Sequence, residues 1–143
     1  MRILYDLAIH LVGTPYKYGG GSPAEGLDCS EFVQILLNAG GADLPGDQTA
    51  QGLFDHFAKP ANHISQEPEF GSLAFYGKDF RRISHVAFCL DRRRMIEAAG
   101  GDSTTVTREE AFRRKACVRI VPIRFEQLIQ FALPEYPLAM PRL

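Results

Sequence analysis

Apolar residues at Ile3, Leu4, Leu7, Ala8, Leu11 and Val12 recur with a helical period, and Gly13-Thr14-Pro15 ends the run. The Gly19-Gly20-Gly21-Ser22-Pro23 stretch reads as a loop. A second helix is predicted from Cys29 to Ala39, with Phe32, Val33, Leu36 and Leu37 as its buried stripe and Gly40-Gly41 as its stop. A third runs from Gln48 to Ala58 and ends before Lys59-Pro60. From Ser72 the period changes from helical to strand-like, through SLAFY, HVAFCL, RMIEAA and CVRIVPI. Thr107 to Lys115 lies between the last two and reads as a short helix, with Thr107 as N-cap and Glu110 at the third position. Arg124 to Phe131 is expected to form another helix. Asn62 to Phe70 is expected to be a loop, and the tail from 134 to 143, with Pro134, Pro137 and Pro141, to be irregular. Helices first and adjacent strands later predict an α+β fold with helices packed on an antiparallel sheet.

The chain has 143 residues, the size of one domain, so 1–143 is expected to be a single domain. At 45% apolar and 23% charged it can build a core without metals or disulfides. No apolar run reaches the roughly 20 residues of a membrane helix, so membrane insertion is not expected. Asp6 and His10 interrupt the apolar start, and no signal peptide is read there. Residues 1–71 carry 3 Lys+Arg against 9 Asp+Glu, and residues 72–143 carry 13 against 8. The basic clusters at 81–82, 92–94 and 113–115 lack interleaved aromatic residues, so solvated loops are expected rather than a nucleic-acid interface. The three cysteines, Cys29, Cys89 and Cys117, form neither a disulfide framework nor a zinc motif, and no metal or cofactor is expected. Gly19-Gly20-Gly21 lacks the following Lys-Ser/Thr of a phosphate loop.

Cys29 differs from the other two cysteines in its position. Asp28 is a good N-cap and Glu31 follows three residues on, which makes Cys29 the first helical residue. Free N–H groups and the positive end of the helix dipole favour a thiolate there. Locally, a packed thiol and a nucleophile both fit. A nucleophile needs a base. Of His10, His56, His63 and His85, only His85 opens a clear strand, where an imidazole is held rigidly. Glu97 lies on the next strand. A three-residue loop at Asp91-Arg92-Arg93 would place Glu97 opposite Ala87 and diagonal to His85, whereas a two-residue turn would put them on opposite faces. An exposed strand carboxylate beside the arginines is the other reading of Glu97.

The run GTPYKYGGGSPAEGLDCSEFV resembles the signature of NlpC-type cell-wall peptidases, which are papain-like cysteine enzymes. LPGDQTAQ, GSLAFY and ISHVAFCLDRRRMIEAAGG resemble further segments of that family, in its order, from about Gly13 to Gly101. The resemblance implies a papain-like core, with Cys29 as nucleophile, His85 as base, Glu97 at the third polar position and Tyr16 helping to polarise the carbonyl. It implies that Asp28, Ser30, Gly19, Gly20 and Ser84 bind substrate. The implied substrate is a peptidoglycan stem peptide, cut at the γ-D-glutamyl to diamino-acid bond. A phage-tail or secretion-system partner, with delivery to the cell wall by phage or as an effector, is the expected setting.

The departures are specific. Glu97 stands where the family usually has histidine, Glu31 replaces a glycine, Ser72 replaces an aspartate, and Gly46-Asp47 lack an arginine. The alternatives are a thiol acyltransferase or amidase on a non-wall substrate, or a non-catalytic wall-binding or phage-tail module.

Overall fold

The computed structural model describes residues 2–58 and 64–138. In chain order its elements are α1 (Arg2–His10), β1 (Gly21–Ser22), β2 (Gly26–Leu27), α2 (Cys29–Gly40), α3 (Ala50–Phe57), β3 (Ile64–Ser65), β4 (Leu73–Gly77), β5 (Ile83–Cys89), β6 (Arg94–Ala99), α4 (Arg108–Arg114), β7 (Cys117–Pro122) and β8 (Leu128–Ala132). Six strands form an antiparallel sheet in the order β3-β8-β4-β5-β6-β7, and β1 and β2 pair as a small separate hairpin. The architecture is α+β, with the first three helices on one face of the sheet.

Strand alternation sorts the core into two layers. Leu73, Phe75, Val86, Phe88, Ile96, Ala98 and Val118 face the helices and pack with Leu4, Phe32, Leu36, Leu37 and Leu53. Ala74, Tyr76, Ala87, Cys89 and Met95 face the other way and are covered by Ile123 and Phe131. The α2 helix is central. Phe32, Val33, Leu36 and Leu37 are all fully buried, each contributing about 1.5–3 kcal/mol relative to exposure. Asp28 caps its start by accepting from the Glu31 N–H at 3.0 Å, an arrangement that contributes about 1 kcal/mol. Gly41, at φ 81°, turns the chain at its end, and its N–H reaches the last carbonyls. A short helix capped by Thr107, which accepts from the Glu110 N–H, also forms as the sequence suggests.

The structure corrects four expectations. Arg124 to Phe131 is not a helix. Gln127, at φ 62°, breaks the chain, and Leu128–Ala132 instead joins β4, with Leu73 opposite Ala132 and Phe75 opposite Gln130. The buried edge of β4 needs backbone partners, and that non-local demand overrides the local helical period. Within the predicted loop, Ile64 and Ser65 extend the sheet against Ala132 and Phe131. Within the glycine-rich loop, Gly21 and Ser22 pair with Leu27 and Gly26. The third helix begins at Ala50 rather than Gln48, because the Thr49 side chain accepts from the Gly52 N–H and acts as its cap. The tail from Leu133 to Leu138 lacks regular structure, yet it anchors: Tyr136 is buried and donates to the Gly71 carbonyl at 2.6 Å. Lys59-Pro60, Asn62, His63 and Pro141 lie outside the described residues.

Candidate active site

The N-terminus of α2 opens onto a cleft of about 360 Å³. The Asp28 carboxylate organises one wall. Its Oδ1 accepts from the Glu31 N–H and from Ser30 Oγ at 3.2 Å, while its Oδ2 accepts from the Gly19 N–H at 3.0 Å. The loop carrying Tyr16, Tyr18 and Gly19 is thereby tied to the first turn of the helix that carries Cys29. Gln34, a buried polar residue on α2, organises the opposite wall. Its amide donates to Asp43 Oδ1 and to the Gly46 carbonyl, both at 3.0 Å, and accepts from the Gln48 N–H at 2.9 Å. With its polar atoms in use, Gln34 costs little to bury. It sets Asp47 and Gln48 beside the cleft, with Thr49, Ile83 and Ser84 completing that side. Gln51 of α3 accepts from the Ile83 N–H at 2.8 Å and donates to the Phe80 carbonyl, pinning the start of β5.

His85 follows two residues later. The β5–β6 ladder pairs Phe88 with Ile96 and Cys89 with Met95, and the connecting loop spans Asp91 to Arg93, closed by the Leu90 N–H on the Arg94 carbonyl at 2.9 Å. That three-residue loop is the one that places His85 and Glu97 on the same face. Their side chains meet at 2.7 Å between Nε2 and Oε1. Glu97 is fully buried, and His85 is 18% exposed. Burial alone would raise the Glu97 carboxyl, but His85 and Arg124 outweigh it and hold the group near 2. Glu97 is therefore an acceptor only, and His85 Nε2 carries the proton between them. Nδ1 is the ring nitrogen left for Cys29. Burial pushes the imidazolium down, but the Cys29 sulfur and then Glu97 overcome this and raise His85 to about 9. The site can thus keep a cationic imidazole beside a thiol at neutral pH.

Tyr16 is buried, lines the cleft and is packed against Gly101. Its phenol is pushed above its ordinary value by burial, then by the nearby Cys29 and Asp28, so it stays a hydrogen-bond donor. Asp28, Ser30, Gly19 and Ser84 also line the cleft. Gly20 is not among the lining residues. It is buried, and a Cβ there would collide with the Gly26 carbonyl oxygen, so its role is close packing of the hairpin. Of the other cysteines, Cys89 is fully buried, and burial raises its thiol to about 12. Cys117 is half-buried at the start of β7.

Sequence reasoning missed several neighbours of the site. Arg124 grips Glu97 through both terminal nitrogens, at 3.0 and 3.1 Å. Arg119 lies opposite Glu97 across β6–β7, with its Nε 3.5 Å from Oε2. The β6–β7 register would have revealed Arg119, but no local pattern marks Arg124. Glu31 turns to Asp47, and burial, that hydrogen bond and repulsion from Asp47 raise it to about 7. Other basic residues have acidic partners away from the site: Arg82 with Asp79, Arg92 with Glu67, Arg94 with Asp91, Arg113 with Glu110, and Arg114 with Glu110 and Asp102.

The chain is 30% identical over 98 residues to the gamma-DL-glutamyl hydrolase of Bacillus subtilis (strain 168), a match covering 67% of this chain and 22% of that protein. The chain thus spans about a fifth of that relative's length. Among solved structures, the peptidoglycan hydrolase RipB of Mycobacterium tuberculosis superposes with a TM-score of 0.67 at 24% identity, covering 91% of this chain and 61% of that one. RipD of the same organism, described as a non-catalytic NlpC/p60 domain protein adapted to peptidoglycan binding, superposes with a TM-score of 0.65 at 19% identity, covering 92% and 94%. The NlpC/P60 family profile matches residues 13–121. With its papain-like α+β fold and a match over most of its length, the chain belongs to the NlpC/P60 family.

Proposed function

We propose that this protein is a cysteine peptidase acting on peptidoglycan stem peptides, at the γ-D-glutamyl to diamino-acid bond. The observation that carries this reading is the chain of contacts from Cys29, at a helix start, through His85 to the buried carboxylate of Glu97 at 2.7 Å. In the reaction, the Cys29 thiolate attacks the amide carbonyl. The Cys29 N–H at the helix start and the Tyr16 hydroxyl stabilise the oxyanion. His85, held cationic by its two neighbours, gives its proton to the leaving amine. Water, deprotonated by the now neutral His85, then attacks the thioester and releases the acyl group, regenerating Cys29. Glu97 keeps the ring oriented and its charge balanced, as the third member of a triad does.

Purified peptidoglycan digested with the wild-type protein should release soluble peptides whose masses place the cut at the γ-D-glutamyl bond. Cys29→Ala should abolish the release. Full release by Cys29→Ala would overturn the proposal.

RipD makes a non-catalytic wall-binding module the second reading. Iodoacetamide at neutral pH separates the two. Rapid alkylation of Cys29 that abolishes the release of peptides supports the peptidase, and wall binding with an inert Cys29 supports the module.

A further inference from the structure

We propose that Arg124 is a positioning residue for His85, acting through Glu97 by clamping both carboxylate oxygens and balancing the charge that Glu97 presents to the ring. This rests on the thiol-peptidase reading above. Arg124 Nη1 donates to Glu97 Oε2 at 3.1 Å and Nη2 to Oε1 at 3.0 Å. Oε1 is also the oxygen that accepts from His85 Nε2 at 2.7 Å. One oxygen thus serves two donors, and the second oxygen is held by the other arm of the guanidinium. Rotating the carboxylate to follow a moving imidazole would break the two-pronged contact, so its plane is fixed.

Arg124 is fixed in turn. Its guanidinium carbon lies 4.6 Å from the centre of the Tyr76 ring, and Tyr76 Oη donates to the Arg124 carbonyl at 2.8 Å. Tyr76 therefore holds both the main chain and the side chain of Arg124. Tyr76 is also the cross-strand partner of His85, with ring centres 5.9 Å apart. His85, Glu97, Arg124 and Tyr76 close a ring of contacts. The backbone pairs His85 with Tyr76 of β4 and Glu97 with Arg119 of β7, and the link between His85 and Glu97 themselves is made by their side chains.

The charged and titratable groups around the ring come from every packed element: Cys29 from α2, Tyr76 from β4, His85 from β5, Arg119 from β7, and Arg124 and Glu126 from the segment after it. Arg119 does not duplicate the clamp. Its Nε, 3.5 Å from Oε2, is buried without a hydrogen bond. A cation beside Glu97 opposes the imidazolium, so removing Arg124 should raise the titration of His85. Lysine keeps the charge and loses the fork.

The test uses wild type, Arg124→Met and Arg124→Lys, with turnover measured on a soluble stem peptide and the His85 ring titrated by NMR. For Arg124→Met, kcat should fall about 10- to 100-fold with KM little changed, and His85 should titrate about 0.5–1 unit higher. For Arg124→Lys, kcat should fall partway while His85 titrates as in wild type. A folded Arg124→Met with wild-type kcat and wild-type titration would overturn the proposal, as would a kcat loss that only tracks loss of folded protein. If the Met variant does not fold, the Lys variant decides: wild-type kcat there overturns the clamp, and a partial loss with unshifted titration upholds it. Absence of turnover in wild type would refute the peptidase reading separately. The titration needs no substrate and still decides whether Arg124 sets the state of His85.

Discussion

Glu97 and Glu31 both neighbour the Cys29–His85 pair, and the fold places them in opposite electrostatic settings. Glu97 is fully buried and has Arg119 3.5 Å away, but it is His85 and Arg124 that outweigh burial and hold it near 2. Glu31 is partly buried, and that burial, followed by Asp47, Asp28 and Asp43, raises it to about 7. Burial raises both carboxyls and is the largest single influence on each, so it does not by itself tell them apart. The signs of the surrounding groups separate them, and these come from different elements: β5 and the segment after β7 for Glu97, and Asp28 with the loop from Asp43 to Asp47 for Glu31. One carboxylate is built to be a permanent anion behind the histidine. The other is built to share or shed a proton at the mouth of the cleft.

The strongest way to break this contrast is Glu97→Gln. Removing a charge that three cations face should lower the unfolding free energy by about 2–4 kcal/mol at pH 6, at the lower end because both arginines can turn to water. On a stem peptide, kcat should fall about 100- to 1,000-fold as the ring loses its orienter. Denaturant titration and steady-state kinetics read the two effects. Activity equal to wild type would remove Glu97 from the triad.

A second test follows the pH dependence of the same pair. His85 is raised in the folded state, so its stabilising contribution is complete below the ordinary value of 6.5 and is lost as pH rises through about 9. Glu97 is depressed, so its contribution is complete above 4.5 and is lost as pH falls through about 2. Both are fully present between about pH 4.5 and 6.5. Activity should persist well above neutrality and decline with an alkaline midpoint near 9, read from initial rates between pH 6 and 10. In Glu97→Gln that midpoint should fall, because the carboxylate that favours the imidazolium is gone.

The smallest expected effect concerns Glu31. Its carboxyl binds a proton more tightly folded than unfolded, so stability should fall as pH rises from about 4.5 through 7. Glu31→Gln should therefore be more stable than wild type by about 1 kcal/mol at pH 8, a figure discounted for solvent screening, and indistinguishable from it at pH 4. Thermal melts at the two pH values test this. Equal melts at pH 8 would mean that Glu31 is not strained by its acidic neighbours.

The elements that place Cys29 were legible because their signals are local. Asp28 before an apolar helix, and Gly41 after it, set both ends of α2 within a span of 14 residues. The shared face of His85 and Glu97 was legible as a conditional: it followed from strand alternation once the loop at Asp91–Arg93 was three residues long, and the closing bond at Arg94 meets that condition. The segment from Arg124 to Phe131 was misread because its local period suits a helix, while its real partner, β4, lies about 55 residues earlier in the chain. That error hid Arg124. A residue read as part of a helix gives no hint that its guanidinium reaches a carboxylate 27 positions away.

By itself, the sequence determined the helix start that presents Cys29, the strand that carries His85 and the parity that lets Glu97 face it, because capping and two-residue alternation are short-range properties of the backbone. The tertiary structure decided the charge each carboxylate carries. That depends on which side chains the sheet order β8-β4-β5-β6-β7 brings within about 3 Å, and desolvation and Coulomb interactions at that range exceed anything the neighbouring sequence can set.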